Sequence, residues 1–309
     1  MADEDKKSPP LSDRLHGLIQ RALPHTLLTA VMYWSTRLGF RPWKNWQIRW
    51  FIGRYGVDIS EVSDADPDSY PHFNAFFTRT LRPGSRPLEG GAEAIACPSD
   101  GTISAIGDIS SGMMLQAKGQ HYSLHSLLGG DGDRAKPFED GSFATVYLSP
   151  RDYHRVHMPT DGRLREMTYI PGRLFSVNFA TARTIPRLFT RNERLVCLFD
   201  TDLGPMALIL VGAMLVSGLE TVWSGAVSPP HGQAMGTWRY QGDNAVQLPR
   251  GGEMGRFNAG STVIVVLPRN RLRWSDSVQC GAGVRMGQKI GGIISEKMGA
   301  GPTGSTAES

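Results

Sequence analysis

The sequence predicts an α+β protein, a helical N-terminal segment followed by a mainly β body, and three observations carry that expectation. The apolar residues recur at helical intervals up to about residue 57 and in short alternating or continuous runs beyond residue 90. The later part is punctuated by glycine, proline and Asp-Gly turns, and 36 glycines in the chain suit a sheet structure with many tight turns. Finally, 40% hydrophobic and 20% charged residues over 309 positions describe a folded chain that can bury one large core plus a smaller appendage.

Residues 1–10, "MADEDKKSPP", read as a disordered start with no apolar stretch of the kind a secretion signal needs. In residues 11–57, Leu11, Leu15, Leu18, Ile19 and Ala22 mark a first helix; Pro24 suits the start of a second and Gly39 its stop. Trp43, Trp46 and Trp50 fall on one face of a third. Trp34 joins these three, and Arg37, Arg41, Lys44, Arg49 and Arg54 are interleaved with them. Indoles with cations are what a helix lying in the lipid headgroup region needs. The same pattern also suits a helical cap whose tryptophans pack on the body, and Ile48 and Ile52 on the other side blur the amphipathicity.

Residues 58–90 form a connector with one short helix expected, capped near Ser69 with Pro71 in its first turn. Residues 91–290 carry the strand-like runs, among them "GTISAIG", "SFATVYL", "MALILVG" and "STVIVVL". The tail, 291–309, reads as flexible. The longest apolar run, "MALILVGAMLV", is 11 residues, short of the ~20 needed to span a bilayer. Cys97, Cys197 and Cys280 are scattered, which argues against a disulfide framework or thiolate zinc site and for a reducing, cytoplasmic setting. A net charge of +4 permits an anionic partner without demanding one.

Three stretches hold candidate chemistry. "CPSDGTIS" contains Asp100 before Gly101, which is also an ordinary turn signal. "YLSPRDYHRVHMP" contains His154 and His157; HxxH can bind metal, but the flanking prolines and the lack of a carboxylate-rich partner favour proton transfer, or plain surface histidines. "FNAGSTVIVV" contains Ser261 after Gly260, outside any GxSxG elbow, so on its own it reads as a turn into a strand. Together the three supply the parts of a base-activated hydroxyl.

Those stretches, with "FNAFFTRTLRPGSRPL", "PGRLFSVN" and "RNERLVCLFDTDLGPMALILVGAMLVSGLETVW", occur in one order along roughly residues 11–290 and resemble the bacterial phosphatidylserine decarboxylase proenzymes. The resemblance implies self-cleavage between Gly260 and Ser261. Asp100 would orient His157, and His157 would deprotonate Ser261 for attack on the Gly260 carbonyl. Elimination and loss of ammonia would then leave a pyruvoyl group on residue 261, with a large chain 1–260 and a small chain 261–309. The pyruvoyl carbonyl would form a Schiff base with the serine headgroup and act as the electron sink, with no metal and no pyridoxal phosphate. His154 would serve the decarboxylation, and Phe175 and Ser176 would line the pocket.

The resemblance further implies phosphatidylserine in an anionic membrane surface as the partner, a homodimer of processed protomers, no nucleic acid, and a peripheral seat on the cytoplasmic side of the cell membrane. The chain departs from the family pattern at Ala259, where leucine is common. Two other readings use the same residues. A lipid-directed serine hydrolase would keep Ser261 as a hydroxyl, and a non-catalytic membrane-docked β module would leave all three stretches as turns.

Overall fold

The computed structural model describes residues 10–117, 119–214, 218–228, 233–258, 261–269 and 272–293. Three helices lead the chain, α1 (Leu11–Ala22), α2 (His25–Ser35) and α3 (Arg41–Tyr55), and a short α4 (Phe73–Phe77) follows. Eighteen short strands succeed them among the described residues. They are β1 (Ala94–Ala96), β2 (Gly101–Asp108), β3 (Met113–Ala117), β4 (Gln120–Ser123), β5 (Ser142–Leu148) and β6 (Arg155–His157), then β7 (Gly162–Ile170), β8 (Arg194–Thr201), β9 (Gly204–Val211), β10 (Leu219–Thr221), β11 (Gly225–Ser228) and β12 (Gly236–Arg239). The last six are β13 (Val246–Leu248), β14 (Glu253–Phe257), β15 (Ser261–Leu267), β16 (Leu272–Trp274), β17 (Gly283–Val284) and β18 (Lys289–Ile293). The mainly β body after helical elements is the predicted fold class.

The main sheet has the order β12-β7-β8-β9-β15-β5-β2-β17, with β13 also on β7 and every pair antiparallel. Strand β15 lies inside it and is buried at all seven positions. Its alternate residues feed two cores. Val263, Val265 and Leu267 face one, and Ile264 and Val266 face the other. A strand covered on both faces has no polar side to show, so "STVIVVL" reads as a continuous apolar run. Beside the main sheet lie the four-stranded β11-β10-β14-β6, the three-stranded β1-β18-β16 and the β3-β4 hairpin.

The leading helices are turned inside out. On α1 the inward positions are Asp13, Gly17 and Gln20, while Leu11, Leu15 and Leu18 are 82%, 58% and 61% exposed. Asp13 pairs with Arg183 at 2.8 Å, Gln20 accepts from the Ser176 N–H at 3.1 Å, and a Cβ at Gly17 would meet Thr184 Oγ1 at 2.8 Å. On α2, His25 and Thr29 face inward while Leu27, Val31 and Trp34 are exposed. On α3, Lys44, Ile48 and Phe51 are buried, with Lys44 donating to the Pro67 and Asp68 carbonyls. Its exposed face carries the stacked series Trp43, Trp46, Trp50, with successive ring centroids 5.2 and 6.3 Å apart.

Two helix ends differ from expectation. Helix α2 stops at Ser35, with Thr36 still in helical geometry as its cap, so Gly39 lies in the following link and does not end the helix. Ser69 does not cap α4: its hydroxyl bonds the Asp66 carbonyl within a turn, and His72 caps instead, its Nδ1 accepting from the Ala75 N–H. An imidazole can fill the role usually given to a short polar side chain.

Candidate active site

Two ladders build the site. Strand β15 pairs with β5 from Ser261↔Leu148 to Leu267↔Ser142, and β14 pairs with β6 from Glu253↔His157 to Arg256↔Arg155. The Phe257 N–H continues the second ladder by donating to the His154 carbonyl at 3.0 Å. Residues 149–153 link the two ladders on the β5–β6 side. Ala259 and Gly260 of the expected cleavage site lie outside the described residues. Ser261, the first residue of β15, is fully buried, and its Oγ has no hydrogen-bond partner among the described residues.

The 149–154 loop is pinned from within and without. Asp152 accepts from the Ser149 N–H and hydroxyl, both at 2.7 Å, and Arg79 donates to the carbonyls of Arg151 and Asp152 at 3.0 and 3.3 Å. His154, fully buried, stacks on Phe77 with centroids 4.1 Å apart. Its Nε2 lies 3.4 Å from the Pro150 carbonyl, which can only accept, so Nε2 carries the proton and Nδ1 is an acceptor without a partner. Burial, reinforced by the positive charge of Arg79, pushes the His154 imidazole down to about 3. It is neutral at physiological pH.

His157 Nδ1 lies 2.8 Å from the Gly251 carbonyl and must be the protonated nitrogen, leaving Nε2 to accept from the Tyr153 hydroxyl at 3.1 Å. Burial lowers this imidazole too, against a smaller upward pull from the bond to Gly251. The Asp100 carboxylate does not bond to His157. It accepts from Arg86 at 2.9, 3.2 and 2.6 Å and from the Met286 N–H at 2.9 Å. Arg86 also pairs with Glu61 at 2.9 Å; burial works against its charge, yet these two carboxylates hold it above its ordinary range. Asp100 and His157 thus sit in one neighbourhood with Tyr153, but no direct contact joins Asp100, His157 and Ser261 as the structure stands.

Two cavities flank the loop. One, about 610 Å³, is mainly apolar and is lined by Trp43, Trp46, Trp50, Phe77, Leu148 and Ser176 among others. Leu148 is the ladder partner of Ser261, which is itself fully buried and does not line this cavity. The other, about 370 Å³, is polar and is lined by Arg79, Arg86, Asp100, Arg151, Asp152 and Tyr153 with their neighbours. Ser176 therefore lines a cavity. Phe175 does not: it is buried under Arg173 and Arg191, with His25 at its edge.

Sequence reading passed over Arg79, Arg86 and Tyr153. Each lies inside a stretch already singled out, but a cation or phenol in a connector carries no spacing signal of its own. Among the described residues no group of three or more His, Cys, Asp or Glu side chains gathers as a metal site, and no helix is long and apolar enough to cross a membrane.

Comparison with known proteins bears on this arrangement. A family model described as phosphatidylserine decarboxylase matches residues 73–292, and one described as PSD matches residues 15–56. A phosphatidylserine decarboxylase proenzyme of Marinobacter nauticus is 54% identical over 80% of this chain and 86% of its own length. Proenzymes so named from Ectopseudomonas mendocina and Pseudomonas putida are 51% and 50% identical, each over 91% of this chain and 99% and 98% of their own lengths. Residues 73–90 of the connector, the two histidines and the strand that opens on Ser261 all fall within the first of these matches, and the chain belongs to the phosphatidylserine decarboxylase family.

Proposed function

We propose that the chain is made as a proenzyme, cleaves itself between Gly260 and Ser261, and then decarboxylates phosphatidylserine to phosphatidylethanolamine at a pyruvoyl group derived from Ser261. The observation that carries this reading is the Ser261 hydroxyl, buried without a partner among the described residues at the head of a central strand, opposite Leu148 of the apolar cavity. A hydrolase serine needs access and a base in contact, and Ser261 has neither. The surroundings fit the pyruvoyl group: the strand beyond 261 is buried at every position, and Leu148, opposite residue 261, lines the apolar cavity. Such a group supplies a conjugated carbonyl that takes up the electron pair left on the α-carbon when CO₂ departs.

The chain's own residues would do the rest. His157, with Nδ1–H fixed on Gly251, has its lone pair on Nε2, which would abstract the proton during processing once its bond from the Tyr153 hydroxyl is released, and Asp100 with Arg86 sets the local charge. His154 serves the second reaction, in which the α-carbon takes one proton for each CO₂ lost, and Nδ1 is its open nitrogen. The small chain would stay bound after cleavage through β15 between β5 and β9, β17 on β2, β18 on β1, and the Met286–Asp100 bond.

The inverted helices support peripheral docking on a bilayer. Leucines and tryptophans aimed outward with polar residues inward gain nothing in water, whereas a bilayer surface buries them. The Trp43–Trp46–Trp50 face would then abut lipid while also walling the apolar cavity, which gives acyl chains a route to residue 261. Intact-mass measurement tests the core of the reading. The expected result is two chains, the smaller beginning at residue 261 and lighter than its serine form by one ammonia. A single uncut chain in every preparation would refute it.

A further inference from the structure

We propose that Arg79 is the substrate-selecting residue, the guanidinium that binds the carboxylate of the serine headgroup and so distinguishes substrate from product. This rests on the decarboxylase reading above and deepens it. Arg79 is 4% exposed, and it has no ion pair among the described residues. Only its Nη2 is bonded, to two loop carbonyls; Nε and Nη1 are buried with no partner. A buried guanidinium with two donors unspent is a costly arrangement that a packing role does not require. Of the other cations of the polar cavity, Arg86 is engaged with Asp100 and Glu61 and Arg285 with Glu61, while Arg151 is largely exposed, 3.9 Å from Asp152. Arg79 is the buried one left for a ligand.

Connectivity says which anion it would meet. The acyl chains and glycerol belong in the apolar cavity, and the headgroup amine must reach residue 261. The phosphodiester lies on the path back to the glycerol, so the α-carboxylate is the substituent free to turn toward the loop after Leu148, which Arg79 holds by the Arg151 and Asp152 carbonyls. His154 is neutral and cannot pair with it, which leaves the guanidinium fork as the matching group. The chemistry gives this contact a purpose. Substrate and product carry the same primary amine and the same phosphodiester, so a carbonyl at residue 261 alone would not tell them apart. A site that must satisfy Arg79 rejects the headgroup that lacks the carboxylate, and loss of CO₂ removes that partner and favours release.

The test uses the processed protein, Arg79→Lys and Arg79→Gln, with dihexanoyl phosphatidylserine and dihexanoyl phosphatidylethanolamine as probes. Each lipid is coupled to the small chain by cyanoborohydride reduction, and the mass-shifted fraction is followed against lipid concentration. The expected result is a half-saturation concentration raised about tenfold or more for phosphatidylserine in Arg79→Gln, with that for phosphatidylethanolamine within about twofold of wild type. The KM should rise more than kcat falls, since the contact fades as CO₂ forms. An equal rise for both lipids would give Arg79 to the phosphodiester and overturn the proposal, as would no rise for either, or failure of both variants to self-cleave. Wild-type protein that stays uncut and couples neither lipid would instead remove the decarboxylase reading itself.

Discussion

Replacing Leu11, Leu15 and Leu18 together by serine should detach the protein from vesicles and leave its fold and chemistry intact. Their exposures of 82%, 58% and 61% add up to about two leucine side chains' worth of apolar surface already in water. Full burial of a leucine side chain is worth about 1.5–3 kcal/mol, so docking this face contributes about 3 kcal/mol at the lower end of that range. At about 1.4 kcal/mol per tenfold, the triple variant should partition about a hundredfold more weakly into phosphatidylserine-containing vesicles. Because none of the three lines either cavity or packs on the body, the melting temperature and the turnover of dihexanoyl phosphatidylserine in solution should match wild type. Vesicle sedimentation with a parallel thermal melt reads both. If the variant sediments like wild type, the outward leucines are not a docking face. If it melts several degrees lower, they pack against something in the folded protein and the inside-out description of α1 is wrong.

Further outcomes follow from the site. Ser261→Ala and His157→Ala should each give one uncut chain by intact mass, whereas His154→Ala should cleave and then decarboxylate poorly. Processed protein should run as a one-to-one complex of chains in native mass spectrometry, separating only in denaturant, because β15 is paired on both sides. Stability should fall with acid. The His154 imidazole, held down to about 3 when folded and titrating at 6.5 when unfolded, favours the unfolded state progressively as pH drops below 6.5. From pH 7 to 5 this one group should remove about 2 kcal/mol, read from urea midpoints, and His154→Gln should flatten that part of the slope.

What could be read beforehand, and what could not, divides on physical lines. The run after Ser261 announced a buried strand because covering both faces removes every polar position. Trp43, Trp46 and Trp50 announced one helical face because spacing alone fixes it, and they do stack. Their surroundings were ambiguous for the same reason: spacing says which residues share a face but not which way that face turns. That direction depended on Asp13, Gly17 and Gln20 finding partners at Arg183, Thr184 and Ser176, more than 150 positions away. Arg79 and Arg86 were hidden similarly. A charge in a connector is ordinary until the fold buries it, and only three-dimensional contacts distinguish the spent guanidinium of Arg86 from the unspent one of Arg79.

The position of the proposed cut follows from the same sheet. Ser261 is paired only with β5, through Leu148, while Thr262 is flanked by Tyr147 of β5 and Val211 of β9. Turning a serine into a pyruvoyl group removes its backbone N–H, so at residue 261 the sheet loses at most one rung on one side. A residue donates through a single N–H, so the loss is one hydrogen bond, and an unmet acceptor buried in the sheet costs about 1–3 kcal/mol. A cut before Ser261 leaves the pairings of Thr262 to Val266 with both β5 and β9 intact, and these would retain the small chain. Across the ladder from Ser261, Leu148 lines the apolar cavity. Ser261 thus heads the strand, paired with β5 alone and opposite a residue of the cavity wall, which is how a residue that reads as an ordinary turn could serve as the reactive one.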